Sequence, residues 1–466
     1  MHIQKDLQIE DLQQSLQQFW ELSAQKIERI RSEYDTSQGS PVFTEEGKYT
    51  TRGWTEWTQG FQFGSEIIQF DATGERSFLE MGRKATVKKM APHITHIGVH
   101  DHGFNNVSTY GALRRLVQEE RFEATEWERH FYDLALKSTG AVQAARWTKT
   151  AEDGGFIYSF NGPHSLFVDT IRTLRALALS HQLGHTLYGE HDKQISLLGR
   201  LIEHARSTAK YNVYYGEERD AYDLRGRTVH EAVFNTNDGQ FRCPSSQQGY
   251  SPFSTWTRGL AWAMCGFAEQ LEWLETLEDG ELEPFGGRQD IESMMLKAAR
   301  ATCDFYLENT ARDGIPYWDT GAPWLHKLGD YTQQSSDPYN DFEPVDSSAA
   351  AIGAQGLLRL GHYLKSDKRE AEDGADYWQA GLTVAQTLLD EPYLSVEQNH
   401  QGLLLHSIYH RPNGWDYVPE GQQIPCGESS MWGDYHLREL ALYLSRIVQS
   451  DDYYTFFNGI TSEVTT

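Results

Sequence analysis

The stretch that decides the fold is Glu343–Leu358, EPVDSSAAAIGAQGLL, where a loop containing proline leads into a helix of small residues. Asp346 and Ser347 suit a helix start, because their side-chain oxygens accept hydrogen bonds from the first backbone N–H groups. The alanines and glycines that follow allow close packing on both flanks of the helix. The stretch therefore predicts an inner helix of a closed helical ring.

The same arrangement recurs elsewhere in the chain. Loops that end in a small polar residue lead into predicted helices in PHSLFVDTIRTL (163–174), SPFSTWTRGLAWAM (251–264) and ESSMWGDYHLREL (428–440). The four starts, at Ser165, Ser254, Ser347 and Ser429, are roughly 80–95 residues apart, which fits one helix hairpin and its loop. This repeat predicts helix pairs arranged around a common axis.

Helical periodicity dominates the remaining sequence. Amphipathic stretches such as RQDIESMMLKAARATCDFYLEN (288–309) suit an outer ring of helices. Strand-like stretches at Val229–Phe234 and Gly402–Tyr409 are short and do not alternate with helices, which argues against a parallel α/β sheet. The predicted helices cover 9–33, 55–70, 74–91, 104–119, 124–138, 165–182, 187–209, 255–274, 290–309, 347–364, 370–389 and 431–448.

The fold class predicted from this pattern is all-α, an (α/α)6 barrel or six-hairpin toroid. We expect a single catalytic domain over residues 1–466, with residues 1–50 as an N-terminal helical extension and residues 450–466 as a tail. The long loops then gather at one end of the ring, where the inner helices begin. We expect the functional site at that end.

Composition narrows the class of partner. The 466 residues carry a formal net charge of −26, which argues against nucleic acid, while 13 Trp and 24 Tyr suit the faces of sugars. The four cysteines form no CxxC pair, and the N-terminus lacks the apolar core of a signal peptide. No window approaches 18 apolar residues. We expect a cytoplasmic protein that binds neither nucleic acid nor membrane.

Two aspartates are candidates for acid–base chemistry. Asp101, in HDHGF (100–104), precedes a predicted helix and is interpreted either as an N-cap or as a functional carboxylate. Asp169 lies in a predicted first turn, where it suits the helix dipole. Its apolar neighbours Leu166, Phe167 and Val168 also predict a raised pKa, as a general acid requires.

A third candidate region is QGYSPFSTWTRGLAW (248–262). Trp256 and Arg258 cannot share one helix face, because they are about 200° apart on a helix. Near the helix start, however, Arg258 can turn into a cleft beside a tryptophan wall and bind a sugar carboxylate. The alternative is that Trp256 and Trp262 belong to the core and Arg258 to a salt-bridge network.

Several signatures are absent from the sequence. There is no GxGxxG on a βαβ unit, no P-loop, no HExxH and no GxSxG elbow. We therefore expect no cofactor and no catalytic metal.

The chain resembles the unsaturated glucuronyl hydrolases of glycoside hydrolase family 88 from about Trp54 to Val448. The resemblance rests on an ordered set of motifs: WTQGF (57–61), HDHGF (100–104), FVDTIRTL (167–174), QGYS (248–251), STWTRG (254–259), PYWDTGAP (316–323), DSSAAAIGAQGLL (346–358) and MWGDYHLREL (431–440). It implies release of a Δ4,5-unsaturated glucuronic acid from the non-reducing end of lyase-generated oligosaccharides, by hydration of the C4=C5 vinyl ether.

The resemblance also implies roles for residues. Asp169 matches the general acid/base and Asp101 the second carboxylate. The positions that match substrate-binding residues are His100, His230, Gln248, Trp256, Arg258, Trp262, Trp57, Trp147 and Ser430. The expected partner is an oligosaccharide that contains an unsaturated uronic acid, bound by a monomer or homodimer.

The chain departs from the family pattern at Thr170–Arg175, at Leu260 and at His102. These departures leave open a conventional glycosidase that acts on saturated glucuronides. A helical toroid is also compatible with a sugar epimerase and with a non-catalytic sugar-binding protein.

Overall fold

The computed structural model describes residues 1–52, 56–152, 154–366 and 371–457. Within these ranges the chain forms an all-α toroid, and the predicted fold class is confirmed. Of the predicted tail at 450–466, residues 458–466 lie outside the described residues.

Twelve principal helices, α1 to α12, lie within the described residues. Inner helix α4 contains a π-helical segment at Val107–Gly111, and α6 is broken at Leu174. The helices are α1 Gln13–Glu33, α2 Gln59–Thr73, α3 Arg76–Lys89, α4 His102–Asn106 continued by Val107–Gly111 and Ala112–Gln118, α5 Glu126–Ala145, α6 Thr170–Thr173 and Arg175–Gln182, α7 Leu197–Tyr211, α8 Thr257–Leu274, α9 Arg288–Asn309, α10 Ser347–Ser366, α11 Ala371–Leu388 and α12 Met431–Val448.

The even-numbered helices form the inner ring and the odd-numbered helices the outer ring. Each inner helix contacts the next one along the chain, and α12 contacts α2, which closes the ring. Every residue of α8 is buried, as expected for a helix with neighbours on all sides. Helix α1 contacts both α2 and α12, so residues 13–33 complete the outer ring.

Short antiparallel strands occur in the loops. Four small sheets lie in the described part of the chain: β1 Phe43–Glu45 with β2 Lys48–Thr50, β3 Trp147–Lys149 with β4 Gly155–Ile157, β6 Leu187–Tyr188 with β7 Gln194–Ile195, and a three-stranded sheet of β5 Ser165–Phe167, β8 Glu231–Phe234 and β9 Phe241–Ser245 in the order β5-β8-β9. In the three-stranded sheet, Leu166 pairs with Ala232.

These strands correct two predicted helix starts. The predicted helix 165–182 begins only at Thr170, because Ser165–Phe167 pairs with β8. The predicted helix 187–209 begins at Leu197, where the Ser196 side chain accepts a hydrogen bond from the Gly199 amide. The first error arises because a short apolar strand and a buried helical turn share one hydrophobic pattern. The second concerns residues 187–196, which are exposed or half-buried and form a short hairpin before the helix.

The predicted strand-like stretch Gly402–Tyr409 forms no strand; Leu404 makes one isolated bridge with Leu394. Its backbone carbonyls at Ile408 and Tyr409 instead accept hydrogen bonds from Arg258.

One hydrophobic core contains side chains from all twelve helices. Among the described residues, no helix combines the length and apolar character needed to cross a membrane.

Candidate active site

A cleft with about 680 Å³ of empty space opens at the end of the ring where the inner helices begin. The residues that line the cleft are Trp57, His100, Asp101, Phe104, Phe160, Asp169, Gln247, Gln248, Trp256, Arg258, Trp262, Tyr409, His410 and Trp415. Eight of the predicted site residues therefore meet in one cavity, as the ring predicts.

Asp101 and Asp169 meet at one imidazole. The Nε2 atom of His100 lies 3.2 Å from the Oδ1 atom of Asp169 and 3.7 Å from the Oδ1 atom of Asp101. All three residues are at least nine-tenths buried. The two carboxylates thus form a single cluster with His100.

Local backbone geometry leaves both carboxylates available. Asp101 and Asp169 occupy the positions just before the helices at His102 and Thr170, yet neither side chain makes a capping hydrogen bond. The Asp101 side chain therefore does not cap α4, and the functional role of its carboxylate stays a prediction. The His100 carbonyl accepts hydrogen bonds from Gln143 and Thr173, which fixes the cluster against α5 and α6.

Burial and charge shift the pKa values of the two carboxylates in opposite directions. Burial raises the pKa of Asp101 above its usual value, against the opposing charge of His100. Burial acts in the same direction on Asp169, but the hydrogen bond and charge of His100 outweigh it and hold the pKa of Asp169 below its usual value. The prediction of a raised pKa for Asp169 is therefore wrong. The apolar neighbours correctly predicted that Asp169 is buried, but they did not predict its hydrogen bond with His100, which lowers its pKa.

The pKa of His100 is shifted by the same two carboxylates. Burial alone lowers the pKa of His100, but Asp101 and Asp169 raise it, and the net shift is upward. Because the three groups interact, their protons are properties of the cluster and not of single residues. In the free protein the proton is favoured on His100 or Asp101, with Asp169 ionised.

Arg258 and Trp256 both reach the cleft because Trp256 lies outside the helix. Trp256 has extended backbone angles and precedes α8, so the helical separation of about 200° does not apply. The Arg258 guanidinium lies 4.7 Å from the centre of a Trp256 ring. Trp256 and Arg258 can therefore both line the cleft.

The terminal nitrogens of Arg258 are fully committed within the protein. Nη1 donates to Asp346 at 2.7 Å and to the Ile408 carbonyl. Nη2 donates to the Gln248 side-chain oxygen at 3.0 Å and to the Tyr409 carbonyl at 2.8 Å. Arg258 is thus part of an ionic network, as the alternative interpretation has it; its predicted two-pronged grip on a sugar carboxylate would have to replace some of these contacts and stays a prediction.

His230 lies directly behind the cleft wall. Its ring contacts Phe167 at 4.2 Å and Trp256 at 4.8 Å between centroids. Its Nδ1 atom accepts hydrogen bonds from the backbone N–H groups of Gln247 and Gln248. Burial lowers the pKa of His230 to about 4, which keeps this acceptor neutral. His230 therefore positions the Gln247–Gln248 loop.

Aromatic side chains form the remaining wall. Trp57 stacks on Trp432 with ring centroids 5.1 Å apart, and Phe104 lies 4.8 Å from Trp262. Besides His230, two predicted contact residues lie outside the lining of the cleft. Trp147 borders a separate groove, where Arg200 lies 3.7 Å above its ring.

Ser430 is the second correction. It is fully buried and caps α12, since its hydroxyl accepts a hydrogen bond from the Gly433 amide, and it does not line the cleft. Six lining residues were not predicted from the sequence: Phe104, Phe160, Gln247, Tyr409, His410 and Trp415. Most lie in loops without periodicity, although Gln247 adjoins a predicted residue and Phe104 ends the HDHGF motif.

Comparison with known proteins places this geometry in context. No family model matches the chain. An unsaturated glucuronyl hydrolase of Bacillus sp. strain GL1 is 24% identical over 406 residues, 86% of this chain and 89% of that protein. An unsaturated chondroitin disaccharide hydrolase of Streptococcus agalactiae is 21% identical and covers 83% of this chain and 80% of its own length.

The fold agrees with the same group. The crystal structure of the Bacillus sp. GL1 unsaturated glucuronyl hydrolase, described as responsible for the degradation of glycosaminoglycan, superposes with a TM-score of 0.68 at 20% identity. The match covers 92% of this chain and 97% of that one. The chain therefore shares the toroid of the unsaturated glucuronyl hydrolases and is similar to them in sequence along most of its length.

Proposed function

We propose that this protein releases Δ4,5-unsaturated glucuronic acid from the non-reducing end of lyase-generated oligosaccharides. The observation that carries the proposal is the cluster of Asp101, His100 and Asp169 in an aromatic-lined cleft. The relatives named above supply the substrate class. We assign this activity to a single catalytic domain. The four cysteines are free thiols, which supports a cytoplasmic location.

The proposed reaction is hydration of the C4=C5 vinyl ether. Asp169 delivers a proton to C4, and the ring oxygen stabilises the cation that forms at C5. The resulting carboxylate takes a proton from water as the water oxygen bonds to C5. The hemiketal then opens, and loss of the aglycone leaves an unsubstituted keto sugar acid.

Proton supply follows from the pKa differences in the cluster. The free protein favours a proton on His100 or Asp101, since both pKa values are raised. A substrate carboxylate is a further negative charge, and a like charge raises the pKa of a neighbouring carboxyl group. A substrate carboxylate beside Asp169 therefore raises the pKa of Asp169 and makes its protonated form, which the reaction uses, more accessible.

Gln248 is the proposed contact for the polar groups of the first sugar. Its side-chain oxygen accepts a hydrogen bond from Arg258, so its amide nitrogen stays available to donate into the cleft. Arg258 thus orients Gln248 and adds positive potential, while Trp57, Trp256 and Trp262 cover the sugar faces.

The conventional glycosidase is the weaker alternative. That mechanism places two carboxyl groups on either side of the scissile bond, about 6.5–9.5 Å apart for inversion. Asp101 and Asp169 both lie within 3.7 Å of one nitrogen of His100, which suits a proton shared within one cluster better than a separate acid and base. This arrangement favours hydration.

The Asp169→Asn variant tests the assignment. We expect turnover of an unsaturated disaccharide to fall by about 10²- to 10⁴-fold, because the proton donor is lost. Loss of the ultraviolet absorbance of the conjugated double bond measures the rate.

Asp290→Asn is the matched control, since Asp290 lies in the first turn of outer helix α9 and its side chain is 64% exposed. We expect its rate to equal that of the unaltered protein. Turnover of Asp169→Asn at the original rate would contradict the assignment. Cleavage of saturated glucuronides alone, with no loss of absorbance, would instead support the conventional glycosidase.

A further inference from the structure

Exposed aromatic side chains are concentrated beside the cleft. We call Tyr250, Phe253, Trp324, Tyr339 and Phe342 the aromatic rim; their exposed fractions are 52%, 70%, 55%, 54% and 38%. They lie on the loops that precede α8 and α10, at the end of the ring that carries the cleft. Large exposed apolar groups that cluster in this way mark binding surfaces.

Hydrogen bonds connect the rim to the cleft. Tyr250 follows the cleft residue Gln248 by two positions, and its backbone N–H donates to Asp319 at 2.8 Å. The loop after Asp319 packs against the loop of Phe253, since a Cβ atom on Gly321 would lie 2.5 Å from the Cβ of Ser254. The first part of the rim therefore continues the cleft wall.

Glu343 holds the second part of the rim. One carboxylate oxygen accepts a hydrogen bond from the Trp324 backbone at 2.9 Å, and the other accepts from the Trp318 indole at 2.8 Å. The Asn340 side-chain oxygen accepts from the Phe342 and Glu343 backbones. Fixed loops present these rings to solvent without a further cost of ordering them on binding.

The charge of these loops is negative. Segments 246–256 and 318–345 carry three exposed acidic residues, Asp330, Asp337 and Asp341, and one exposed lysine, Lys327. Asp319 and Glu343 are buried in the same loops. Among the described residues that line the cleft there is no lysine, and Arg258 is already committed to four acceptors. A sulfate or carboxylate beyond the first sugar would therefore face like charge.

We propose that the aromatic rim binds uncharged sugar units that follow the unsaturated glucuronic acid. The substrate is thus an oligosaccharide in which one terminal uronic acid precedes neutral sugars, and sulfated chains are disfavoured. Aromatic rings suit the apolar faces of neutral sugars, and the acidic loops exclude anionic ones. This inference rests on the proposed function and names its substrate class.

A chain-length comparison tests the rim. Two unsaturated substrates with neutral second units are used, a disaccharide and a tetrasaccharide. In the Phe253→Ala/Trp324→Ala double variant we expect KM for the tetrasaccharide to rise roughly three- to tenfold, because two stacking platforms are lost. We expect kcat/KM for the disaccharide to stay within about twofold, because the cleft is intact.

Trp127→Ala is the matched control, because Trp127 is 74% exposed but lies on outer helix α5. We expect it to change neither substrate's KM. Equal losses on both substrates, or no loss on either, would overturn the proposal. A change of oligomeric state in the double variant, seen by size-exclusion chromatography, would identify the rim as a contact between copies and would also overturn it.

Calorimetry separates this inference from the proposed function. Tetrasaccharide binding to Asp169→Asn is measured with and without the rim substitutions, and a weaker affinity in their presence supports the rim whatever the turnover. Inactivity of the unaltered protein on both substrates would sink the proposed function alone.

Sulfation tests the charge argument. We expect a lower kcat/KM for a disaccharide sulfated on its second unit than for its unsulfated counterpart. Asp341→Asn should reduce this difference by roughly twofold, since one exposed carboxylate is removed. A preference of the unaltered protein for the sulfated disaccharide would contradict the proposal.

Discussion

At the residue scale, His100 decides how the two carboxylates of the cleft differ. It hydrogen-bonds to Asp169 at 3.2 Å, whereas Asp101 at 3.7 Å acts on it through charge. Asp169 therefore gains the larger stabilisation of its ionised form, and Asp101 keeps the raised pKa that burial gives it. Two residues of one type acquire different properties from one neighbour.

The pH dependence of the reaction reports this cluster. Loss of the shared proton removes the acid, so kcat/KM should fall on the alkaline side at a pH above about 6.5, the usual pKa of histidine, because the pKa of His100 is raised. In Asp101→Asn the charge that most raises this pKa is absent, and the alkaline limb should move to lower pH. Profiles of kcat/KM against pH for the unaltered protein and for Asp101→Asn measure the position of the alkaline limb in each.

Asp290→Asn again serves as the control and should leave the alkaline limb in place. If the limb of Asp101→Asn stayed at its original pH or moved upwards, the proposed sharing of a proton between Asp101 and His100 would be wrong.

At the element scale, the site depends on close packing between inner helices α4 and α6. A Cβ atom at Gly103 would lie 2.2 Å from the Thr173 carbonyl oxygen. Asp101 precedes α4 and Asp169 precedes α6, so this contact sets the distance between the two carboxylates. Only glycine permits such an approach of one backbone to another.

The Gly103→Ala variant tests this contact. We expect a loss of unfolding free energy of about 1–3 kcal/mol from overpacking, together with reduced turnover, because the helices must separate. Urea denaturation measures the stability.

Gly280→Ala is the matched control, since a Cβ atom there meets no atom within 4 Å. It should be neutral or slightly stabilising, as alanine favours helix over glycine. Equal stability of the two variants would show that α4 and α6 do not constrain each other at Gly103.

At the scale of the whole molecule, a buried ionic network joins inner helices across the ring. Arg172 of α6 donates two hydrogen bonds to Glu269 of α8, each at 2.9 Å, and one to Glu439 of α12 at 2.9 Å. Burial alone would raise the pKa of both glutamates, but Arg172 and Arg175 lower it. The network links helices that are far apart in sequence.

Removal of this arginine should destabilise the ring. In Arg172→Met we expect a loss of about 3–5 kcal/mol of unfolding free energy, because buried carboxylates lose their partner. The pKa values of Glu269 and Glu439 are lowered, so their contribution is present above about pH 4.5 and is lost as the pH falls. Denaturation at pH 7 measures the first effect, and acid titration of the unaltered protein the second.

Arg206→Met is the control, because the Arg206–Asp290 pair is exposed, with side-chain exposures of 37% and 64%. Its loss should stay within about 1 kcal/mol. A similar small loss in Arg172→Met would mean that the central network does not hold the ring together.

The ring and the meeting of Asp101, Asp169 and Arg258 at its mouth follow from sequence patterns. Small residues repeat at inner helix starts, and amphipathic stretches alternate with them, so the helices and their order can be predicted. A ring with parallel inner helices necessarily gathers the loops before them at one end. The sequence therefore predicted the end of the molecule at which the cleft lies.

Only the tertiary structure decided which partners the site residues have. The acceptors of Arg258 include Asp346 and carbonyls at 408 and 409, up to 151 positions away in the chain, and no local pattern reports such contacts. The same reason explains the direction of the Asp169 pKa and the position of Trp147. The periodicity of side chains determines helices and their buried faces, whereas contacts between loops depend on how the closed ring brings distant segments together.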